Sequence, residues 1–405
     1  MRSRTLARSS VAAAAASILL AVTACSTPGT RPDAVAACDS PGVTPDRITL
    51  GFVYSDSGGA GSAFSSARAG FDARISLANA EGGVHGRRVV YQWRDDESSG
   101  PVNANVTEGL IRTGSVFGLV MSSAVTGESQ DYLTREGVPV TGLAAEPAWA
   151  GHANMFSYMY SASPEIIGRY IQAGGGRKVA LVTSGQSAFS SDIVATYSQH
   201  LQALGLTAVA VLPYSATIDN PDRTARQIAE SGADSLLGIT AANDFADVVQ
   251  ATRRNGLHLA VSVALSGYDR NLLATSGPAL AGVSIPVFFR PFEAGGPAVE
   301  RYRAAMTRYA PETVNPEQQF AMFTYISADM FLRGLDLAGP CPTREGFIKA
   351  LRAVPDYDAG GLIAPVDLRD NAGKPIACHA FVQVGPTGAT FDVTQEELCA
   401  DGATG

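Results

Sequence analysis

The chain has 405 residues, too long for one ordinary core of ~100–200 residues, so two globular units are expected. Hydrophobic residues make up 46%, which excludes a mainly disordered chain. Thirty Lys and Arg stand against 38 Asp and Glu, and the net charge of -8 argues against nucleic acid as a partner, because phosphate binding needs clustered cations.

The N-terminus carries Arg2, Arg4 and Arg8 ahead of an apolar run, Val11 to Val22. That run is shorter than the ~20 residues a bilayer-spanning helix needs, and it fits a secretory signal. It ends in Val22-Thr23-Ala24-Cys25, which resembles a bacterial lipobox. Residues 1–24 then read as a leader and Cys25 as the lipidated first residue of the mature chain. The protein is expected on the extracytoplasmic face of the cell membrane, held there by its lipid. Residues 25–45 are rich in Ser, Thr, Pro, Gly and Ala and read as a tether. Four further cysteines remain, Cys38, Cys341, Cys378 and Cys399, with no C-x-x-C among them. In an oxidising compartment they suggest two disulfides, and the count leaves all three pairings open.

From Ile48 to Tyr54 the sequence reads as a buried strand, followed by the Ser/Gly loop 55–62. Next comes a helix to Ala80, with Phe64, Ala67, Phe71, Ile75 and Ala78 on one face. Strand Val89–Trp93, helix Val102–Arg112, strand Val116–Met121, helix Gly127–Arg135 and strand Val138–Thr141 complete a first series. A second series begins after Pro164. Its strands are Lys178–Thr183, Thr207–Leu212, Ser235–Ile239, Leu259–Leu265 and Ala281–Phe289. Helices Asp192–Leu204, Asp222–Glu230 and Asp244–Arg254 lie between them. Three helices follow, Ala298–Tyr309, Pro316–Leu337 and Arg344–Val354, and then a hairpin of Ala377–Val384 and Ala389–Val393. This alternation predicts an α/β fold with two doubly wound parallel-sheet lobes.

Motifs for chemistry are absent. Gly59-Ala-Gly61-Ser-Ala-Phe64 lacks the third glycine of a dinucleotide fingerprint, and neither a P-loop nor G-x-S-x-G occurs. His85, His152, His200, His258 and His379 are scattered and read as solvated or structural, so neither a metal, nor a cofactor, nor catalysis is expected. Open α/β sheets bind ligands at strand C-termini. There this chain places Ser57, Ser122, Ser123, Ala144, Ala145, Phe189, Asn243, Ser266 and Tyr268, with Phe64 nearby: hydroxyls, backbone N–H groups and rings, with few charges. Such loops suit holding a small polar molecule.

The ordered set of segments resembles type I periplasmic binding proteins, in the leucine/isoleucine/valine- and amide-binding branch. Val43-Thr-Pro-Asp-Arg-Ile-Thr-Leu-Gly51, Ser57-Gly58, Asn79-Ala-Glu-Gly-Gly-Val-His-Gly86, Glu136-Gly-Val-Pro-Val140, Arg254-Asn-Gly256 and Thr324-Tyr325 carry it. The resemblance implies two lobes joined by three hinge crossings, with lobe one at 46–160 plus 290–375, lobe two at 161–289 plus 376–395, and a tail at 396–405. It implies a monomeric receptor that captures a small molecule and delivers it to an ABC permease. A sensor lipoprotein and a secreted α/β enzyme are the alternatives. Placed on those lobes, the cysteines are expected to pair 38–341 and 378–399, each within one lobe. In amino-acid-binding members hydroxyls and N–H groups of lobe one hold the ligand carboxylate, and an acid of lobe two meets its ammonium. Ser122 matches the first carboxylate position, Ala145 the second without its hydroxyl, and Ser266 stands where the acid would be. Asp56, Glu146, Asp244 and Asp269 lie near enough to supply one. A ligand lacking an ammonium is expected, a neutral amide or an amine-free carboxylate, with Phe64, Phe189 and Tyr268 as walls.

Overall fold

A computed structural model describes residues 38–184 and 188–404, and side chains outside 185–192. Its first sheet has the order β2-β1-β3-β4-β5, all parallel, from β1 (Arg47–Tyr54), β2 (Arg88–Asp95), β3 (Leu119–Ser122), β4 (Val140–Gly142) and β5 (Met155–Phe156). β1 lies inside the sheet, between β2 and β3, and is buried from Leu50 onward, as an apolar run covered on both faces should be. The second sheet has the order β12-β11-β10-β9-β8-β6-β7. Its parallel part is β6 (Lys178–Thr183), β7 (Thr207–Pro213), β8 (Ser235–Ile239), β9 (Val261–Ala264) and β10 (Ser284–Val287). The antiparallel pair β11 (Cys378–Val384) and β12 (Phe391–Cys399) closes its edge.

Helices cover both sheets, which makes two α/β lobes. In lobe one, α1 (Gly61–Phe64), α2 (Ala67–Ala80), α3 (Gly100–Arg112) and α4 (Gly127–Arg135) come from the first series. In lobe two they are α5 (Pro164–Ala173), α6 (Ala188–Ala203), α7 (Pro221–Ser231), α8 (Ala242–Arg254) and α9 (Arg270–Leu280). The late helices α10 (Pro297–Tyr309), α11 (Gln319–Leu337) and α12 (Arg344–Arg352) return to lobe one, where α10 and α11 pack on α2. The α2–α11 contact is close because Gly70 has no side chain; a Cβ there would lie 1.9 Å from the Ala321 carbonyl oxygen. Arg74 Nε also reaches Asp329 Oδ1 at 2.8 Å across it.

The chain therefore passes between the lobes three times: after β5, after β10, and ahead of β11. The crossings support one another. Ser161 and Pro375 form a parallel bridge, the Ile376 N–H donates to Ser161 O at 3.0 Å, and the Arg290 N–H donates to Leu362 O at 2.6 Å.

Several elements differ from the sequence reading. Residues 38–45 are not tether but part of lobe one: Cys38 is bonded to Cys341, Ser40 Oγ donates to Pro342 O at 2.7 Å, and Val43 is buried. Arg87, fully buried, binds Thr44 O at 2.8 Å and Pro340 O at 2.5 Å beneath this segment. Three elements went unpredicted: β5, only two residues long, α5 and α9. α5 opens with Ser163 accepting from the Ile166 N–H and Pro164 in its first turn, a start signal that was legible. In α9 the Gly277-Pro278 pair reads as a breaker, yet it sits in the last turn, where Gly277 lies against the backbone of Gly388. β12 runs to Cys399 rather than stopping at Val393, because Cys399 faces Cys378 in register and is bonded to it. That makes 396–399 strand rather than tail. Cys25 and the leader lie outside the described residues, as does the Phe189 side chain. Among the described residues no helix is long and apolar enough to cross a membrane.

Candidate ligand-binding crevice

The C-terminal ends of β1, β3 and β4 bring the loops 55–57, 122–126 and 143–146 together on lobe one. Most of the hydroxyls predicted to meet a ligand are engaged within the protein. Ser57 Oγ donates to Asp95 Oδ2 at 2.6 Å. Burial pushes the Asp95 carboxyl up, but the Ser57 hydroxyl and the N–H groups of Glu97, Ser57 and Asp56 outweigh it and hold the carboxyl below its ordinary range. Ser123 is fully buried; its hydroxyl donates to Asp96 and accepts from the Val125 N–H at 3.0 Å. Asn103 Nδ2 joins the same Asp96 carboxylate at 3.0 Å. Ser122, also buried, accepts from Thr324 Oγ1 of α11 at 3.0 Å. Thr324 thus ties α11 to the C-terminal end of β3, a contact that its segment in the family resemblance did not reveal.

Ala144 is half-buried and Ala145 exposed. The Ala145 N–H, expected to remain for a ligand, donates instead to Leu143 O at 2.9 Å, in a tight local turn. Glu146 turns back onto α4: its Oε2 accepts from the Thr126 N–H at 2.7 Å and from Thr126 Oγ1 at 2.9 Å. The three N–H groups approaching α4 are therefore all met from within the chain, Ala124 by Ser55 Oγ at 3.4 Å, Val125 by Ser123 and Thr126 by Glu146.

On lobe two, Ser266 Oγ donates to Thr240 O at 3.1 Å, and Asn243 Oδ1 accepts from Ser276 Oγ at 2.7 Å. Asp269 caps α9 through the Asn271 N–H at 2.7 Å, and Asp244 Oδ1 accepts from the Ala216 N–H at 3.4 Å. Tyr268, expected as an open wall, is buried between the lobes. Its ring packs on Phe292 at 5.7 Å and Phe391 at 4.9 Å, and its hydroxyl donates to Glu293 Oε2 at 2.5 Å. Burial pushes the Glu293 carboxyl up, and burial beside that carboxylate pushes the Tyr268 hydroxyl up too.

Around this pair the lobes are joined by charge. Arg270, at the start of α9, reaches Glu293 at 3.1 Å and Glu317 at 2.6 Å, both on lobe-one segments. Arg303 meets Glu317 from the other side at 2.6 Å, and Asp269 pairs with Gln318 as an antiparallel bridge. None of this was legible in the sequence, where Arg270 and Glu317 stand 47 positions apart in surface-like surroundings.

The apolar side of the crevice is aromatic. Phe64 is buried against Phe320 at 4.3 Å, and Phe320 meets Phe323 edge-on at 5.7 Å. Beside it opens a cavity of about 540 Å³ lined from both lobes, by Tyr54, Asp56, Ser66, Arg68 and Gln318 of lobe one and Asn271 of lobe two. The Arg68 guanidinium lies 4.6 Å from the Trp93 ring centre. The volume is that of a small-molecule site. Among the described residues no histidine–carboxylate cluster at metal-ligand distance occurs. The one Cys/Glu group close enough, Cys378, Cys399 and Glu397, has its sulfurs bonded to each other. His379 is buried, with Nδ1 near Ala380 O at 3.2 Å and Nε2 without a partner, and burial lowers it to about 4.

The two-lobed α/β fold is similar to that of known proteins. The fold resembles a fatty acid ABC transporter substrate-binding protein from Thermomonospora curvata: TM-score 0.73, 20% identity, 90% of this chain and 96% of that one covered. A branched-chain amino acid ABC transporter protein from Thermus thermophilus with bound valine gives 0.72 at 17% identity, over 87% and 97%. An ABC transporter substrate-binding protein from Aeropyrum pernix gives 0.74 at 15%, over 88% and 96%. No curated protein sequence matches the chain. The family model described as periplasmic binding protein matches residues 47–389, from the first residue of β1 to the turn of the last hairpin, and the chain belongs to that family.

Proposed function

We propose that this protein is an extracytoplasmic solute receptor, anchored by a lipid on Cys25, that captures a small molecule between its lobes and hands it to an ABC permease. The observation that carries the reading is the cavity of about 540 Å³ lined from both lobes. A ligand there gains contacts in one arrangement of the lobes that it lacks in another, and this difference drives closure. The lobes are taken as 46–160 plus 290–375 and 161–289 plus 376–395. A binding role agrees with the family to which the chain belongs.

The ligand is taken to lack an ammonium group. Ser266 stands where an acid would be needed, and a buried ammonium without a carboxylate partner is costly. Two relatives of this fold are described as serving a fatty acid and valine, so the scaffold accommodates ligands with and without an amine. A thermal-shift screen of small amides, carboxylates and amino acids tests the reading. A ligand at about 100 times its dissociation constant adds about 2.7 kcal/mol of stability. Micromolar binding of leucine abolished by Asp269→Ala would refute the absence of an ammonium site. Replacing Cys25 by Ser should release the protein from membranes, and unchanged fractionation would refute the anchor.

A further inference from the structure

We infer that the cavity of about 540 Å³ takes a neutral polyhydroxylated molecule, a sugar or polyol, rather than an acyl or branched-chain compound. The inference rests on the solute-receptor reading and names the ligand class of the same site.

The cavity wall is polar almost throughout. Among its lining residues only Ala69 and Val314 are aliphatic. The rings of Phe64, Phe320 and Phe323 pack on one another beside the cavity and do not line it. An alkyl ligand would strip water from the polar wall and offer it no hydrogen bonds in exchange.

The wall sets donors and acceptors side by side. Ser66 lines the cavity although it is only 5% exposed, and its hydroxyl has no partner among the described residues. Buried polar groups are nearly always bonded, so this hydroxyl is left for a ligand. Tyr54 lines the cavity as well and is buried; that burial and the nearby Asp56 push its hydroxyl up, which keeps it a neutral donor. Arg68 lies with its guanidinium 4.6 Å from the Trp93 ring centre and its Nε 3.7 Å from Asp72 Oδ2. Gln318 gives its Nε2 to Asn315 O at 2.7 Å, which leaves Oε1 to accept. From lobe two comes Asn271, an exposed amide in the first turn of α9.

A hydroxyl both donates and accepts, so neighbouring hydroxyls suit a guanidinium beside a carboxylate. One amide or one carboxylate fills only a few of these positions. A ring or chain of hydroxyls fills them on both lobes. Charge excludes the alternatives. The charges of Arg68 and Asp72 offset each other, and the remaining carboxylates, Asp56 and Glu312, oppose an anion. Both are exposed, so water screens them and they hold a cation weakly, while Arg68 opposes that cation within the cavity.

The test uses the full chain, followed by melting temperature and calorimetry against two sets of probes. The first set is D-glucose, D-ribose, myo-inositol and trehalose. The second is isovaleramide, isovalerate, hexanoate, leucine and putrescine. At least one of the first set should bind, and none of the second should come within about tenfold of it. Its affinity should fall about tenfold, about 1.4 kcal/mol, in Ser66→Ala and in Asn271→Ala. Asn271 is exposed, so its variant keeps the test open should Ser66→Ala fail to fold. Binding confined to the second set, or sugar binding unchanged in both variants, would overturn the inference and leave the receptor reading standing. If no probe binds, the receptor reading loses its support and the inference falls with it.

Discussion

Replacing Gly70 by Ala adds one methyl group where lobe one has no room for it. The new carbon would lie 1.9 Å from Ala321 O, 2.6 Å from its carbonyl carbon and 2.9 Å from its Cα. Those are backbone atoms of α11, so no side chain can swing aside. Restoring ordinary contact, near 3.4 Å, requires α2 and α11 to part by about 1.5 Å. A radial gap of ~0.5–1 Å already forfeits a quarter to a half of each dispersion contact, and Phe71, Ile75, Met322 and Ile326 are all buried on these two helices. The cost should reach the upper end of overpacking, about 3 kcal/mol. Thr324 would move with α11 and loosen its bond to Ser122, so ligand affinity should fall as well. Gly109→Ala is the internal control. Gly109 lies inside α3 with nothing within 4 Å of a Cβ, and alanine there should stabilise by about 0.4–1 kcal/mol. Urea unfolding of both variants measures the difference. A Gly70→Ala protein within about 0.5 kcal/mol of wild type would refute the helix contact as described.

Other expectations follow from single features. Buried His379, lowered to about 4 from 6.5, stays neutral in the folded chain while the unfolded chain protonates, so stability should fall by roughly 3 kcal/mol as pH drops between those values. His379→Phe should remove that share of the slope, and parallel pH profiles of the two proteins would contradict it. Arg270 and Glu317, 2.6 Å apart across the lobes with Arg270 half-exposed, should show a coupling of about 1 kcal/mol in a double-mutant cycle on thermal stability. Zero coupling would mean the pair does not join the lobes in solution. Peptide mapping without reduction should recover Cys38 linked to Cys341 and Cys378 linked to Cys399, and removing either pair should cost about 2–4 kcal/mol. A 38–399 link would refute both.

The strand–helix alternation was legible because each buried parallel strand is a short apolar run closed by a loop. β1 and β6 were placed within a residue of where they lie. What escaped the sequence was whatever depends on contact between distant segments. Ser57, Ser122 and Ser123 lie at or just beyond strand ends as read, but nothing local says that Asp95 and Asp96 accept from Ser57 and Ser123, or that Thr324 donates to Ser122. Tyr268 read as a wall because its role depends on Glu293 and Phe292, which belong to a crossing. Residues 38–45 read as tether because their composition is loop-like, while the bonds that fix them come from Arg87 and the 340–342 turn.

Arg87 settles a question of orientation. It grips the chain at Thr44 and the 340–342 turn at the N-terminal edge of the first sheet, while the crevice opens at the C-terminal edge. β1 spans eight residues between the two, about 26 Å at ~3.3 Å per residue. Any attachment made upstream of Cys38 therefore pulls on the base of lobe one rather than on its mouth.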